Sequence, residues 1–230
     1  MLFRSLMPWT RLARQAGAAI KTVDVDDEGR PRLEHLKQAL SARTRIVAFS
    51  HVSNVLGYLN PVKEMTAVAR QAGASVVIDG AQGAPHAPID VQELGCDFYV
   101  FSGHKMLGPM GTGVVWGRRE LLDAMPPYHV GSNMAHEVEF EHATLEHGAQ
   151  KYQAGTPDVA GPVGLAAAVR FMTASRHLLR QHDEQLVRHG LDRLRRLPRV
   201  RLIGPRGPEQ RVPVFTFVVD GRAATDVAKA

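Results

Sequence analysis

The sequence is short of the features that mark several protein classes. It has one cysteine, Cys96, among 230 residues. No disulfide framework and no thiolate metal cluster can form within the chain. Its eleven histidines are scattered without HExxH spacing, which argues against a metal site. No apolar run approaches the roughly 18 residues a membrane span needs. The opening Met1–Trp9 stretch is too soon broken by Pro8 to resemble a signal peptide. A cytosolic protein is therefore expected. Aromatic residues make up only 6% of the chain, and none is interleaved with basic residues as single-strand nucleic-acid binders require.

Charge has one sign in excess: net +5, with a pI near 9.7. Basic balance can indicate nucleic acid or membrane partners. Here the arginines concentrate between Arg170 and Arg201, on segments with helical spacing such as Leu191-Asp192-Arg193-Leu194-Arg195-Arg196. That pattern describes a solvated helix face, so neither partner is expected. The remaining composition, 44% hydrophobic and 22% charged, is that of one large globular domain or slightly more.

The hydrophobic pattern alternates helix and strand. Helices are expected over Pro8–Ala16, Leu33–Leu40, from Pro61 to Gly73, over Val91–Leu94, Arg119–Met125 and Pro157–Arg196, and from Ala223 onward. Strands are expected over Ala19–Val25, Arg45–Ser50, Ser75–Asp79, Asp97–Phe101, Thr112–Trp116, Val200–Ile203 and Val212–Val219. Asn133–Gln153 is polar and aperiodic and reads as a long loop. Short β-branched runs separated by helices imply an α/β fold with a largely parallel sheet. In such sheets ligands sit beyond the carboxyl ends of the strands.

Three segments stand at or near such positions: Val77-Ile78-Asp79-Gly80-Ala81-Gln82, Phe101-Ser102-Gly103-His104-Lys105 and Ala154-Gly155-Thr156-Pro157. Singly, each has a plain structural reading. Asp79 can cap a turn, Lys105 can be a surface lysine, and Ser102 and His104 can close a turn. Together they offer a carboxylate, an amine and small polar donors from neighbouring strand ends. Pyridoxal phosphate (PLP) requires that set. A carboxylate keeps its pyridine nitrogen protonated, a lysine holds its aldehyde covalently, and hydroxyl, imidazole and N–H groups receive its phosphate.

These segments, with Ser50-His51-Val52-Ser53-Asn54-Val55-Leu56-Gly57 and Cys96-Asp97-Phe98-Tyr99-Val100, resemble the group II (SufS-type) cysteine desulfurases of the class V aminotransferase superfamily, in order and along nearly the whole chain. The resemblance implies a PLP-transferase type I (aspartate aminotransferase-like) fold. The large domain would occupy residues 1–172, and 173–230 would begin a small α+β domain. It implies that Lys105 holds the cofactor and moves the substrate's Cα proton, and that Asp79 faces the pyridine nitrogen. Gln82 would bond the ring hydroxyl, Ser102 and His104 the phosphate, and Asn54 would lie near the ring and substrate carboxylate. Thr156 would reach the cofactor phosphate of a neighbouring subunit, which implies a homodimer. His51 receives no role, a structural histidine being an equal reading. The implied reaction converts L-cysteine to L-alanine and leaves sulfur as a persulfide on a protein thiolate, from which a sulfur-acceptor protein would take it towards iron–sulfur cluster assembly.

The sequence also departs from the family pattern. The family's nucleophilic cysteine and substrate-binding arginine lie in a C-terminal region the sequence does not reach. Its phosphate loop lies upstream. Its Glu-His-His stretch corresponds to Met1-Leu2-Phe3, where Phe3 could stack on the ring instead. His129-Val130-Gly131-Ser132 and Lys151-Tyr152-Gln153 replace the family's Gly-Gly-Gly and Arg-Phe-Glu runs. Cys96 cannot substitute as nucleophile: it precedes a strand that Lys105 follows, roughly 15–20 Å away at 3.3 Å per residue, and a small buried core residue is expected there. An exposed, partnerless strand at Val212–Val219 is expected, with poor solubility or dependence on a dimer partner. Two alternatives stay open. One is another PLP enzyme of the superfamily, epimerase-like or kynureninase-like. The other is an inactive remnant that only dimerises.

Overall fold

The computed structural model describes residues 3–229, with side chains described from Leu6 onward. Helix α1 (Phe3–Ala16) is followed by α2 (Leu33–Ala39), strand β1 (Ile46–Ser50), α3 (Val62–Gln71) and β2 (Ser75–Asp79). Two one-turn helices, α4 (Gly83–His86) and α5 (Val91–Leu94), lead to β3 (Phe98–Ser102), a 3-10 turn over Gly103–Met106, β4 (Gly113–Gly117) and α6 (Arg119–Ala124). A hairpin of β5 (Ala135–Val138) and β6 (Ala143–Leu145), then a 3-10 turn over Gly148–Tyr152, precede the long helix α7 (Ala160–Arg195). Strands β7 (Val200–Ile203) and β8 (Thr216–Val219) and a last turn of helix, α8 (Ala224–Val227), complete the described chain.

The main sheet has the order β1-β2-β3-β4. The first three strands are parallel, and β4 runs antiparallel to β3. Parallel pairing needs a helical crossover, which α3 supplies between β1 and β2, and α4 with α5 between β2 and β3. Strand β2 lies inside the sheet, and its alternating burial puts Val76 and Ile78, both fully buried, on the core face. They pack with Val62 and Ala69 of α3, with Cys96 and with Tyr99. Local signals fix the crossovers. Asp90 caps α5 by accepting from the N–H groups of Gln92 and Glu93, and Gly95, at φ +65°, ends it.

Five expectations are corrected. Ala19–Val25 is not a strand. Asp26 closes a turn by accepting from the N–H groups of Glu28 and Arg30, leaving one isolated bridge, Val25 to Pro31. The segment is tied instead to α2, through Asp24 N–H to His35 and the Lys21 ammonium to the carbonyl of Ala39. The stretch Asn133–Gln153 is not a structureless loop. It holds the β5–β6 hairpin, anchored by the fully buried Met134. Strand β8 covers only the last part of Val212–Val219, because Pro213 cannot donate to a ladder and Val212 N–H is used by the carbonyl of Gly57. Nor is β8 partnerless: it pairs antiparallel with β7 from Ile203–Thr216 to Val200–Val219. Helix α1 begins ahead of Pro8 and holds it inside, although the ring removes a helix hydrogen bond. The Phe3 side chain and residues Met1, Leu2 and Ala230 lie outside the described set.

Candidate active site

The register of the parallel strands brings their carboxyl ends to one edge. Ser50 pairs with Asp79, and Asp79 with Val100. Ser102 follows two residues later, opposite Gly113 at the start of β4. A cavity of about 410 Å³ opens at this edge, lined by Asn54, Asp79, Gln82, Ser102 and Lys105 together with Ser50 and an apolar wall that includes Val52, Val100 and Val114. That is the size and character of a small-cofactor site.

Each side chain is presented by a short, determined piece of backbone. Asp79 is the last residue of β2. Its Oδ1 accepts from Ala81 N–H at 3.0 Å, its carbonyl accepts from His51 N–H at 2.8 Å, and Gly80 N–H donates to Val100 at 2.7 Å. Gln82 stands at the entrance to α4. Lys105 lies in the 3-10 turn after β3, which Leu107 ends in a left-handed conformation at φ 59°. Gly103 starts that turn. A Cβ there would stand 2.3 Å from Thr112 Oγ1, so the close approach of the two strand ends requires glycine. Asn54 is exposed in the turn after β1, where Ser53 Oγ accepts from Leu56 N–H.

Five of the seven residues singled out in the sequence thus share one cavity. The other two do not line it. His104 neighbours Lys105 but is exposed, and Thr156 is exposed on the segment before α7. Ser50 and the wall from β4 were not singled out. Ser50 ends a strand at the same edge as Asp79, and that position was the available signal. The β4 wall depends on antiparallel pairing, which leaves no motif. Cys96 is 1% exposed, and burial is the main cause pushing its thiol up to about 11. This is the environment of an inert core cysteine.

The donor set fits PLP. An amine, a carboxylate, two amides and two hydroxyls line one cavity. Comparison with known proteins agrees: the family model for class-V aminotransferases matches residues 4–230. The chain belongs to the class-V aminotransferase family. A probable cysteine desulfurase 2 of Mycobacterium leprae is 44% identical over 98% of this chain. A cysteine desulfurase of Synechococcus elongatus is 39% identical, again over 98%. The crystal structure of the cysteine desulfurase CsdA from Escherichia coli superposes with a TM-score of 0.90 at 36% identity, covering 97% of this chain and 55% of that one. The chain spans 54% and 36% of the two curated relatives' lengths. Class-V aminotransferases and cysteine desulfurases are PLP-dependent. In this chain Lys105 and Asp79 line one cavity at the carboxyl edge of the sheet.

Proposed function

We propose that this chain is the cofactor-bearing part, centred on residues 1–172, of a PLP-dependent cysteine desulfurase acting on L-cysteine. The observation that carries the reading is the convergence of Lys105 and Asp79 on one cavity at the carboxyl edge of the parallel strands. PLP, when bound, supplies the electron sink that makes the Cα–H bond of an amino acid labile. The chain's own groups do the rest. Lys105 holds the cofactor covalently, then takes and returns the Cα proton at its Nζ. Asp79 keeps a proton on the ring nitrogen, its orientation set by Ala81 N–H. Gln82 donates to the ring hydroxyl, Ser102 and His104 bind the phosphate, and Asn54 faces the substrate carboxylate.

In the overall reaction the C–S bond of cysteine breaks. The sulfur passes to a thiolate, which becomes a persulfide, and alanine leaves. Cys96 is not that thiolate, because its thiol is buried and held protonated. A homodimer in which Thr156 serves the neighbouring subunit's cofactor, a protein that accepts the sulfur for iron–sulfur cluster assembly, and a cytoplasmic location complete the proposal. Among the described residues no helix is long and apolar enough to cross a membrane.

The test is an absorbance titration of the purified chain with PLP, followed by borohydride reduction and peptide mass analysis. The expected result is a visible band and a reduced adduct on Lys105, both absent in Lys105→Ala. A wild-type chain with no adduct, or one labelled equally at other lysines, refutes the reading.

A further inference from the structure

Beneath the turn that carries Asp79 and Gln82 lies a buried polar pair to which the reaction above gives no role. His51, just after β1, is 5% exposed, and Tyr99, in β3, is 1% exposed. His51 Nδ1 lies 2.9 Å from the Tyr99 hydroxyl, and the two rings meet edge-on at 89°. Burial lowers the His51 pKa to about 4 and raises that of Tyr99. Near pH 7 both groups are therefore neutral, and a neutral hydrogen bond joins them.

The turn rests directly on this pair. A Cβ at Gly80 would stand 2.0 to 2.4 Å from Cε1, Cζ and the hydroxyl oxygen of Tyr99. A Cβ at Gly83 would stand 2.7 Å from both His51 Nδ1 and the Tyr99 hydroxyl. The backbone thus touches the pair at two points, and between them lies Ala81, whose N–H orients the Asp79 carboxylate. The hydrogen bond fixes the Tyr99 oxygen at the place where both glycines press on it. A phenylalanine ring would keep the apolar contacts and leave that place empty.

We propose that His51 and Tyr99 are positioning residues for the cofactor cavity: their hydrogen-bonded pair sets the height of the 79–83 turn and, through Ala81 N–H, the direction in which Asp79 and Gln82 face. This rests on the reading of the cavity given above. The pair acts through the turn and not on the reacting atoms.

The experiment compares wild type, Tyr99→Phe, His51→Gln and Gly83→Ala in the 230-residue chain. Two quantities are measured: amide hydrogen exchange at residues 80–84 without cofactor, and the dissociation constant for PLP from the Lys105-dependent band. Loss of one hydrogen bond predicts about tenfold faster exchange at Gly80, Ala81 and Ala84, and about tenfold weaker capture, in Tyr99→Phe. His51→Gln, whose side-chain amide can hydrogen-bond the tyrosine in either direction, keeps most of both. Wild-type exchange at 80–84 in Tyr99→Phe overturns the proposal. So does acceleration spread evenly over β1–β3, which marks a loss of global stability. Should Tyr99→Phe fail to fold, Gly83→Ala decides, since it presses on both partners and must move the same amides. A wild-type chain that captures no PLP defeats the reading of the cavity, while the exchange result still decides the role of the pair.

Discussion

Cys96 is the sharpest test of how sulfur chemistry is divided in this protein. At a pH well below the pKa, the thiolate fraction falls tenfold for each unit by which the pKa rises. Raising the thiol from 9.0 to about 11, chiefly by burial, therefore removes about 99% of the thiolate present in an exposed cysteine. Thiolate is the species that attacks alkylating reagents, so the native chain should react with iodoacetamide at pH 7.5 at least about 100-fold more slowly than the urea-unfolded chain. Exclusion of the reagent from a site 1% exposed adds to that factor. The rate should climb with pH and not level off until close to pH 11. The same shift makes the folded chain hold a proton that the unfolded chain releases. Its contribution to stability is complete below about pH 9 and is lost as the pH rises through about 11. The assay is mass-resolved alkylation kinetics, native against unfolded, with Cys96→Ser as the blank. Native and unfolded rates within tenfold of each other would refute the reasoning and restore Cys96 as a candidate nucleophile.

Three further outcomes are expected. The folded His51 has its pKa lowered from 6.5 to about 4 by burial, so stability is retained above about pH 6.5 and lost as pH falls through about 4. The loss is on the order of 3 kcal/mol, read as a falling urea midpoint that flattens in His51→Gln. Asp97, 6% exposed, accepts from Val76 N–H at 2.8 Å and Arg70 Nη1 at 3.1 Å. Asp97→Ala should cost about 3 kcal/mol and Asp97→Asn, which keeps one acceptor, about 1 kcal/mol in urea unfolding; equal costs would contradict the hydrogen-bond assignment. Gly57 has φ +69°, and a Cβ there would stand 2.8 Å from the carbonyls of Val212 and Val214. Gly57→Ala should lower stability by about 2 kcal/mol or more in the same assay.

The parallel core was legible because burial writes itself into β2: Val76 and Ile78 alternate with Val77 and Asp79, and the crossover into β3 carries its own caps, Asp90 and Gly95. The site was legible for the same reason, since Asp79 and Ser102 are the last residues of strands whose apolar runs are plain in the sequence. What was not legible has little burial to record. Strand β5 is largely exposed and β6 only half-buried, and neither shows apolar alternation, so their hairpin reads as loop. Val25, 53% exposed, belongs to a β-rich stretch with no ladder neighbour, so its β-branched composition misleads. The β7–β8 pairing joins segments separated by a proline and glycine-rich turn, and only the three-dimensional structure supplies that partner. The His51–Tyr99 contact spans 48 residues. Nothing local in either motif announces it.

Helix α7 has a mechanical consequence. It runs unbroken from Ala160 to Arg195. Near one end Leu165 lies beside Gly103 and Gly108, which bracket Lys105. Farther along, Asp183 grips His86 at 2.7 Å and Arg176 holds the carbonyl of Ala87, below the Gln82 turn. Its far end feeds β7. At 1.5 Å per residue the span from Leu165 to Arg195 is roughly 45 Å. The helix works as a brace: one continuous rod ties the lysine turn, the segment after Gln82 and the approach to β7 together. The spacing between the lysine turn and β7 is therefore set by the length of a single helix, not by a chain of loops.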